Sequence, residues 1–387
     1  MNEVINLLFI LILFYLVECI FWLDRNSVVF VSLFRKNFSL FFSDKYFGNQ
    51  HGGIYFTNPF PPLGTIYISS LFPISCSVTH ISSHISQTFI NDSRVEKNIK
   101  ILNYQEIKSV SEVDRNIFIN GEMFVKCGTP IQAIFVKNIL LKLVSMIDEQ
   151  REMELKKIIQ KTFDVESAKE KIEVFYDQSY GLRICCNILF MYIFLFVPVL
   201  LWHYGTIQLL ITSLLAMYLL SIFISINFHI IHKELYPTQK SERFIDTFKM
   251  IIFPPIAVRA HDMLSRYLLI NYHPLAIAYI VCERTDVNKF SKDILADLMY
   301  PIVNDFGDEN INQTDRWHRS NLDNAITLFL DGKKVSKKEL LMPPLPATVS
   351  CQSYCPRCNT QYTMKEGVCS DCGTITLVPF NTSEWTC

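Results

Sequence analysis

The chain has 387 residues, of which 50% are hydrophobic and only 19% are charged, and its mean hydropathy is +0.22. This composition is too apolar and too poor in charge for an ordinary soluble protein of this length, so part of the chain is expected in lipid. The formal net charge of -1 provides no basic surplus to neutralise phosphates, which argues against nucleic-acid binding.

The first segment, residues 4–23, is a nearly uncharged apolar run. About 20 residues make a helix of about 30 Å, which is long enough to cross a hydrocarbon core. We therefore predict a transmembrane anchor over residues 1–23. A cleaved signal peptide is the alternative, but no Lys or Arg precedes the run and no small-residue cleavage site follows it. Glu18 is expected near the headgroups, or else in contact with another helix.

Residues 24–183 are predicted to form an α+β cytosolic region. Its β-rich part has short strands at 53–57 and 65–71, and Asn120-Gly121 lies between two apolar runs, which is the strongest local signal for a hairpin. Residues 131–176 then have helical periodicity and become densely charged. We interpret the charged stretch as a solvated helix face that leads to the membrane, with a docking stripe for a partner as the alternative.

A second apolar block covers residues 184–231 and is interrupted only at residues 202–205. Two apolar arms joined by a short corner predict a transmembrane helical hairpin, with Trp202 and Tyr204 at the membrane interface. Pro198 is expected to kink the first arm or to leave a carbonyl without its helical partner. Two buried helices of a soluble domain are the alternative.

Basic residues flank these segments and predict their orientation. None precedes the first span or lies in the corner, whereas several follow the first span and lie on both sides of the hairpin: Arg25, Arg35, Lys36, Lys169, Lys171, Arg183, Lys233, Lys240, Arg243 and Lys249. The positive-inside rule then places the N terminus outside and residues 24–183 and 232–387 in the cytosol. In this reducing compartment thiolates remain available for metal. A reagent that cannot cross the membrane should therefore not modify Cys369 in intact cells.

Residues 232–340 are predicted to form a mainly helical cytosolic region. The apolar segment 273–282 is expected in its core, and Asp331-Gly332 is compatible with either a helix end or a hairpin turn. The proline-rich segment 341–349 is predicted to be a semi-rigid linker, so a domain boundary is expected there.

Four polar residues near the inner mouth of the hairpin form a candidate site. His229 and His232 share a helix face, and Asp262 and Arg266 follow in a charged stretch near lipid. The histidines would need further ligands to bind a metal, and interfacial histidines beside a salt-bridged helix face are the simpler interpretation.

Two CxxC pairs near the C terminus form the most specific motif in the chain. Cys355 and Cys358 make one pair, and Cys369 and Cys372 make the other. Each CxxC turn directs two thiolates at one ion, and two such turns complete a tetrahedral sulfur shell. Unligated cysteines or a redox pair are the alternatives.

With these pairs, residues 350–380 resemble a zinc ribbon, and residues 350–387 are predicted to be this ribbon and its tail. The resemblance implies structural Zn2+, because a closed four-sulfur shell leaves no position for water or substrate. The sequence departs from the commonest ribbon pattern at Asn359, where a second glycine would often lie.

No motif predicts a reaction. A phosphate-binding loop, GxSxG, HExxH and a dinucleotide fingerprint do not occur, and Cys282 would need a histidine brought near it by the fold to act as a nucleophile. The sequence therefore favours a membrane-anchored interaction or assembly protein whose cytosolic domains and ribbon dock partner proteins. The alternative is a membrane-associated enzyme or transport component that uses the polar site beside the hairpin. As a transporter, a chain with three spans would require homo-oligomerisation.

Overall fold

A computed structural model describes residues 100–127, 130–204, 206–265, 267–300 and 309–380, with single positions between 6 and 13 and five short strands before residue 88. These parts form a mainly helical α+β protein with two long apolar helices and a C-terminal cysteine cluster. Most of the predicted anchor, the strand expected at 53–57, Arg266 and the tail after residue 380 lie outside the described residues.

The described strands form small antiparallel sheets of three strands, ordered β2-β1-β3, β4-β5-β6, β7-β8-β9 and β11-β10-β12. Their bounds are β1 Ser27–Ser32, β2 Ser39–Phe42, β3 Thr65–Ser70, β4 Val78–His80, β5 His84–Gln87, β6 Lys100–Asn103, β7 Val110–Val113, β8 Asn116–Ile119, β9 Glu122–Lys126, β10 Ser353–Tyr354, β11 Gln361–Tyr362 and β12 Val378–Pro379.

The β8–β9 connection is the hairpin predicted at Asn120-Gly121. Both residues have positive φ, 53° and 83°, as a two-residue hairpin turn requires. The Asn120 side chain also accepts the Lys108 N–H at 2.7 Å and donates to the Glu106 carbonyl at 2.8 Å, which fixes the preceding chain against the turn.

The described helices are α1 Pro130–Val144, α2 Asp148–Lys161, α3 Val165–Met191, α4 Val197–Tyr204, α5 Ile207–Leu235, α6 Lys240–Ile252, α7 Pro254–Ala257, α8 Ala260–Ser265, α9 Pro274–Val281, α10 Arg284–Met299, α11 Glu309–Gly332 and α12 Lys337–Leu340. The periodic stretch expected over 131–176 is therefore divided among α1, α2 and α3. Asp164 caps α3 by accepting the Ser167 N–H at 3.0 Å, so the chain starts a new helix there.

Helices α3 and α4 are continuous through a π-helical turn, Tyr192–Phe196, and make one rod from Val165 to Tyr204. In this turn the Val197 N–H bonds to the Tyr192 carbonyl, one residue further back than in an α-helix. Such bulges accommodate an irregular hydrogen-bond ladder, and this one lies directly before Pro198, which lacks an N–H. The irregularity that the sequence predicted at Pro198 therefore takes the form of a π-bulge directly before it.

The rod Val165–Tyr204 and α5 have 40 and 29 residues, with mean hydropathies of 2.6 and 2.4 in their apolar windows. By length and composition both could span a membrane. Only 22% and 28% of these two apolar stretches are buried inside the protein. The core helix of a soluble protein would be mostly buried, so the alternative of two buried helices is disfavoured.

The helical region after α6 contains the core segment expected at 273–282, since Pro274 to Ala278 are buried in α9. His273 caps this helix by accepting the Leu275 N–H at 3.2 Å and stacks on Phe163 at 4.5 Å. Helix α11 ends at Gly332, and the Val335 N–H returns to the Leu330 carbonyl at 3.0 Å, so the helix-end alternative is correct.

The proline-rich linker is attached at both of its sides. The Lys292 ammonium of α10 donates to the Met342 carbonyl at 3.4 Å. The Gln361 amide donates to the Leu345 carbonyl at 2.8 Å and accepts the Ala347 N–H at 2.7 Å. These bonds hold the start of the linker against α10 and its end against the C-terminal module.

Candidate metal centre

The C-terminal module is built around the short sheet β11-β10-β12 and two cysteine turns. Cys355 follows β10 directly, and Cys369 begins the second turn. Both are buried, and with Ile375 and Leu377 they form a small separate core. Tyr300, at the end of α10, packs on this core, so the module is in contact with the helical region.

The four predicted ligands come together. The sulfur atoms of Cys355, Cys358, Cys369 and Cys372 all lie within 4.8 Å of one another. The distance is 3.6 Å between Cys358 and Cys369, and 4.0 Å between Cys355 and Cys372. Tetrahedral zinc with Zn–S bonds of about 2.3 Å requires sulfurs about 3.8 Å apart. The cluster therefore has the donor set and spacing to bind a metal ion such as zinc.

Each cysteine turn is closed in the same way. The Asn359 N–H bonds to the Cys355 carbonyl at 2.9 Å, and the Gly373 N–H bonds to the Cys369 carbonyl at 2.8 Å. Asn359 and Gly373 both have positive φ, 59° and 70°. Asparagine tolerates this left-handed conformation better than most residues. Asn359 therefore fills the position where a second glycine would often lie, and the departure from the ribbon pattern leaves the turn intact.

Hydrogen bonds distinguish the four thiols. The Tyr362 hydroxyl lies 3.2 Å from the Cys369 sulfur, which also accepts the Cys372 N–H at 3.3 Å. Burial alone would raise the pKa of Cys369, but these donors outweigh it and lower the pKa to about 7. Burial raises the pKa of Cys355 to about 11. Metal binding at neutral pH must therefore displace protons, and Cys369 ionises more readily than Cys355.

Within the part of the chain that the structure describes, the four cysteines are the only group of three or more such side chains close enough to hold a metal ion. The two hairpin histidines do not belong to such a group. His229 is within hydrogen-bond distance of the Thr247 hydroxyl, at 3.4 Å. His232 is 1% exposed, and its ring lies against Tyr236 at 5.2 Å.

Asp262 forms an ion pair with Arg259 at 3.3 Å, as a salt-bridged helix would predict. The pair is not on a solvated face, since the side chains are 1% and 0% exposed. Burial raises the pKa of Asp262 to about 7, against the opposing attraction of Arg259 and Arg183. Amphipathic spacing could not reveal this burial, because the helices that cover the pair come from elsewhere in the chain.

Cys282 lacks the character of a nucleophile. Burial raises the pKa of its thiol to about 12, so it is protonated at neutral pH. No family model, curated protein or solved structure matches this chain. The chemistry of the cysteine cluster therefore rests on its own geometry.

Proposed function

We propose that this chain is a membrane-anchored interaction or assembly protein, whose structural zinc ribbon docks a partner protein on the cytosolic side. The observation that carries the proposal is the closed four-sulfur cluster, with all sulfurs within 4.8 Å, in a module that exposes apolar side chains. A closed four-sulfur shell stabilises the fold and has no open position for catalysis, so we expect the surface of the ribbon to carry the function.

Two of the exposed apolar side chains of the ribbon lie between β11 and the second cysteine turn. Met364 and Val368 are 52% and 58% exposed. Leu345 and Val349 of the linker are also exposed, and Leu345 is held to the ribbon through Gln361. Exposed apolar groups gathered on a small module support a protein-contact role.

The membrane part of the proposal rests on the two apolar helices. Their outward side chains are large and apolar along most of their length, including Ile188, Leu195, Ile211, Leu219 and Phe223. Such a surface would be costly in water and is favourable in lipid. The basic residues at the ends of both helices support cytosolic placement of the helical region and the ribbon.

The test is purification in mild detergent of tagged wild type and of Cys355→Ser/Cys358→Ser, with zinc per chain and co-purifying proteins measured together. We expect about one zinc and a stoichiometric partner for the wild type, and loss of both in the variant. Cys351→Ser, which removes a thiol outside the cluster, is the matched control and should retain both.

A second variant distinguishes loss of the docking surface from loss of the zinc-dependent fold. Met364→Ser/Val368→Ser should keep the zinc and lose the partner, because it changes only exposed side chains. If wild type binds zinc and no stoichiometric partner accompanies it, the docking proposal is wrong.

One observation favours the alternative, a membrane-associated enzyme or transport component. His232, Gln239 and Arg243 are 1%, 3% and 8% exposed, and polar side-chain atoms of all three are buried without a hydrogen-bond partner among the described residues. Buried polar groups cost about 1–3 kcal/mol each when unsatisfied. Two residues with N–H donors and a histidine would suit a small anion at the inner mouth of the hairpin.

Inorganic phosphate tests this alternative. We expect phosphate to raise the melting temperature of the purified wild type and not that of Arg243→Gln, because binding to the folded state stabilises it. Lys249→Gln, on the exposed side of the same helix, should respond as the wild type does. An equal response in all three proteins would exclude the site.

A further inference from the structure

Helix α6 runs back along α5 instead of leaving the hairpin. As α6 proceeds, its contacts move toward the start of α5. Three contacts define this antiparallel register: Thr247 Oγ1 with His229 Nδ1 at 3.4 Å, the Met250 carbonyl with Ser221 Oγ at 2.6 Å, and the Ile252 carbonyl with Tyr218 OH at 3.3 Å. The end of α6 therefore lies beside the middle of α5.

The register between α6 and α5 defines how deep the end of α6 would lie in a bilayer. At about 1.5 Å per residue, Tyr218 lies about 16 Å along α5 from the first residue of that helix, Ile207. A hydrocarbon core is about 30 Å thick, so a span that begins near Ile207 brings Tyr218 close to its centre. The 13 residues of α6 are about 20 Å long, enough to pass from the headgroups toward that level.

The outer face of α6 is apolar in the same zone. Phe244, Phe248 and Ile252 recur at helical spacing and are 68%, 54% and 41% exposed. On the neighbouring α5, Phe223 and Ile226 are likewise exposed. The two helices pack side by side, so these faces form one continuous apolar surface.

Two carbonyls at the end of α6 are satisfied by hydroxyls of α5. In a continuing helix the Met250 carbonyl would accept the N–H of residue 254, but Pro254 has none. Ser221 and Tyr218 of α5 donate instead to the Met250 and Ile252 carbonyls. In lipid no water is present to do this, and a helix that ends there must obtain its donors from the protein.

After Phe253, which is 41% exposed, the chain that leaves α6 is also covered by protein. All four residues of α7, Pro254–Ala257, are buried, and the Cys186 thiol donates to the Ala257 carbonyl at 3.5 Å. Irregular backbone is tolerated at membrane depth only where protein surrounds it. The charged residue nearest the end of α6 is Lys249, which pairs with Asp246 at 3.6 Å and can extend its long stem toward the headgroups.

We infer that α6 is a re-entrant helix that lies in the cytosolic leaflet against α5, with lipid acyl chains on its Phe244, Phe248 and Ile252 face. The chain enters at Lys240, turns at Pro254-Pro255 and returns through α7. This inference rests on the proposed membrane placement of the hairpin, and adds a third lipid-contacting element to it. The bilayer is the partner for this face because the face continues the apolar surface of α5.

Quenching by brominated lipids tests the inference in the full chain. In a background with Trp22, Trp202, Trp317 and Trp385 changed to Phe, one tryptophan is introduced at a time: Phe244→Trp, Ile252→Trp, Phe223→Trp on α5, or Met153→Trp on α2. Each protein is reconstituted in phosphatidylcholine vesicles with bromine either near the headgroup or deep in the acyl chain. The control Met153 is 57% exposed and lies on α2, outside the hairpin.

We expect Phe244→Trp to be quenched more by shallow bromine, Ile252→Trp more by deep bromine, and Met153→Trp by neither. Quenching of Phe223→Trp without quenching of either α6 variant would overturn the re-entrant helix and leave the hairpin proposal standing. Absence of quenching at Phe223 would overturn both. Because Phe244→Trp exchanges one exposed aromatic ring for another, it should fold even if the Ile252 variant does not.

Discussion

The hydroxyl of Tyr362 provides a sharp test of the metal centre. It accepts the Ser370 N–H at 3.2 Å and lies 3.2 Å from the Cys369 sulfur, to which its own proton can be donated. Tyr362→Phe removes this contact and keeps the ring. Loss of a group that supports a metal ligand typically lowers affinity 10- to 100-fold, which is about 1.4–2.7 kcal/mol. We expect a loss of zinc affinity in this range.

The pH dependence gives the direction of the effect. The Tyr362 hydroxyl helps to lower the pKa of Cys369 to about 7, so the variant should have a higher pKa at this thiol and less thiolate at neutral pH. Above about pH 8.5, the ordinary range for cysteine, both proteins are increasingly ionised and the difference should shrink. Competition with a colorimetric zinc chelator at several pH values measures this.

Tyr354→Phe is the matched control, because the Tyr354 ring stacks on Phe380 at 5.1 Å and its hydroxyl makes no hydrogen bond to a cluster sulfur among the described residues. It should bind zinc as the wild type does. Equal affinity of Tyr362→Phe and wild type at every pH would refute the reasoning, since the hydroxyl would then contribute nothing to the sulfur.

Three further predictions follow from burial and hydrogen bonding. Because burial raises the pKa of Asp262 from 3.8 to about 7, its contribution to stability should fall as pH rises through this window. This change in the free energy of unfolding amounts to at most about 4 kcal/mol. Melting curves measured at several pH values should lose this dependence in Asp262→Asn and keep it in the control Glu173→Gln, whose side chain is exposed. Hydrogen bonds lower the pKa of the Cys351 thiol, which makes it reactive toward maleimides. Because the proposed topology places Cys351 in the cytosol, an impermeant maleimide should modify it in inside-out vesicles but not in intact cells. Ser221→Ala should destabilise by about 1–3 kcal/mol by orphaning a carbonyl at the end of α6. Thr212→Ala, which loses only contacts with two carbonyls of its own helix, should cost less. Equal melting temperatures of the Ser221→Ala and Thr212→Ala variants would contradict this.

Local chemistry could be predicted from the sequence. Each CxxC pair brings its own two sulfurs together because its turn is closed within five residues, at Asn359 and Gly373. Asn120-Gly121 forms its hairpin for a similar reason, since the turn conformation belongs to those two residues. Apolar runs likewise indicate long helices without reference to the rest of the chain.

Contacts between distant segments could not be predicted. The fold buries Cys369, so its failure to react with a labelling reagent would not report on topology, whereas the Cys351 thiol lies outside the cluster and is more accessible. The sequence indicates only a mainly helical region after the hairpin, and the hydrogen bonds from Ser221 and Tyr218 reveal that α6 turns back along it. Such pairings depend on the tertiary fold and leave no local pattern.

The same limit explains why polar residues near the hairpin could not be sorted from sequence into structural and functional groups. His273 is buried, its Nδ1 accepts the Leu275 N–H and its ring stacks on Phe163, so its place is explained by its role as the cap of α9. Asp262 is buried against Arg259, so its alteration would perturb folding before it reported on any reaction. The Asp262 oxygens also lack a hydrogen-bond partner among the described residues, but they have the Arg259 ion pair at 3.3 Å. His232 is equally buried, and its ring nitrogens have neither a hydrogen-bond partner nor an ion pair among these residues. Buried polar groups normally find partners, so His232, and not Asp262, is the residue at which a small-molecule site beside the hairpin should be sought.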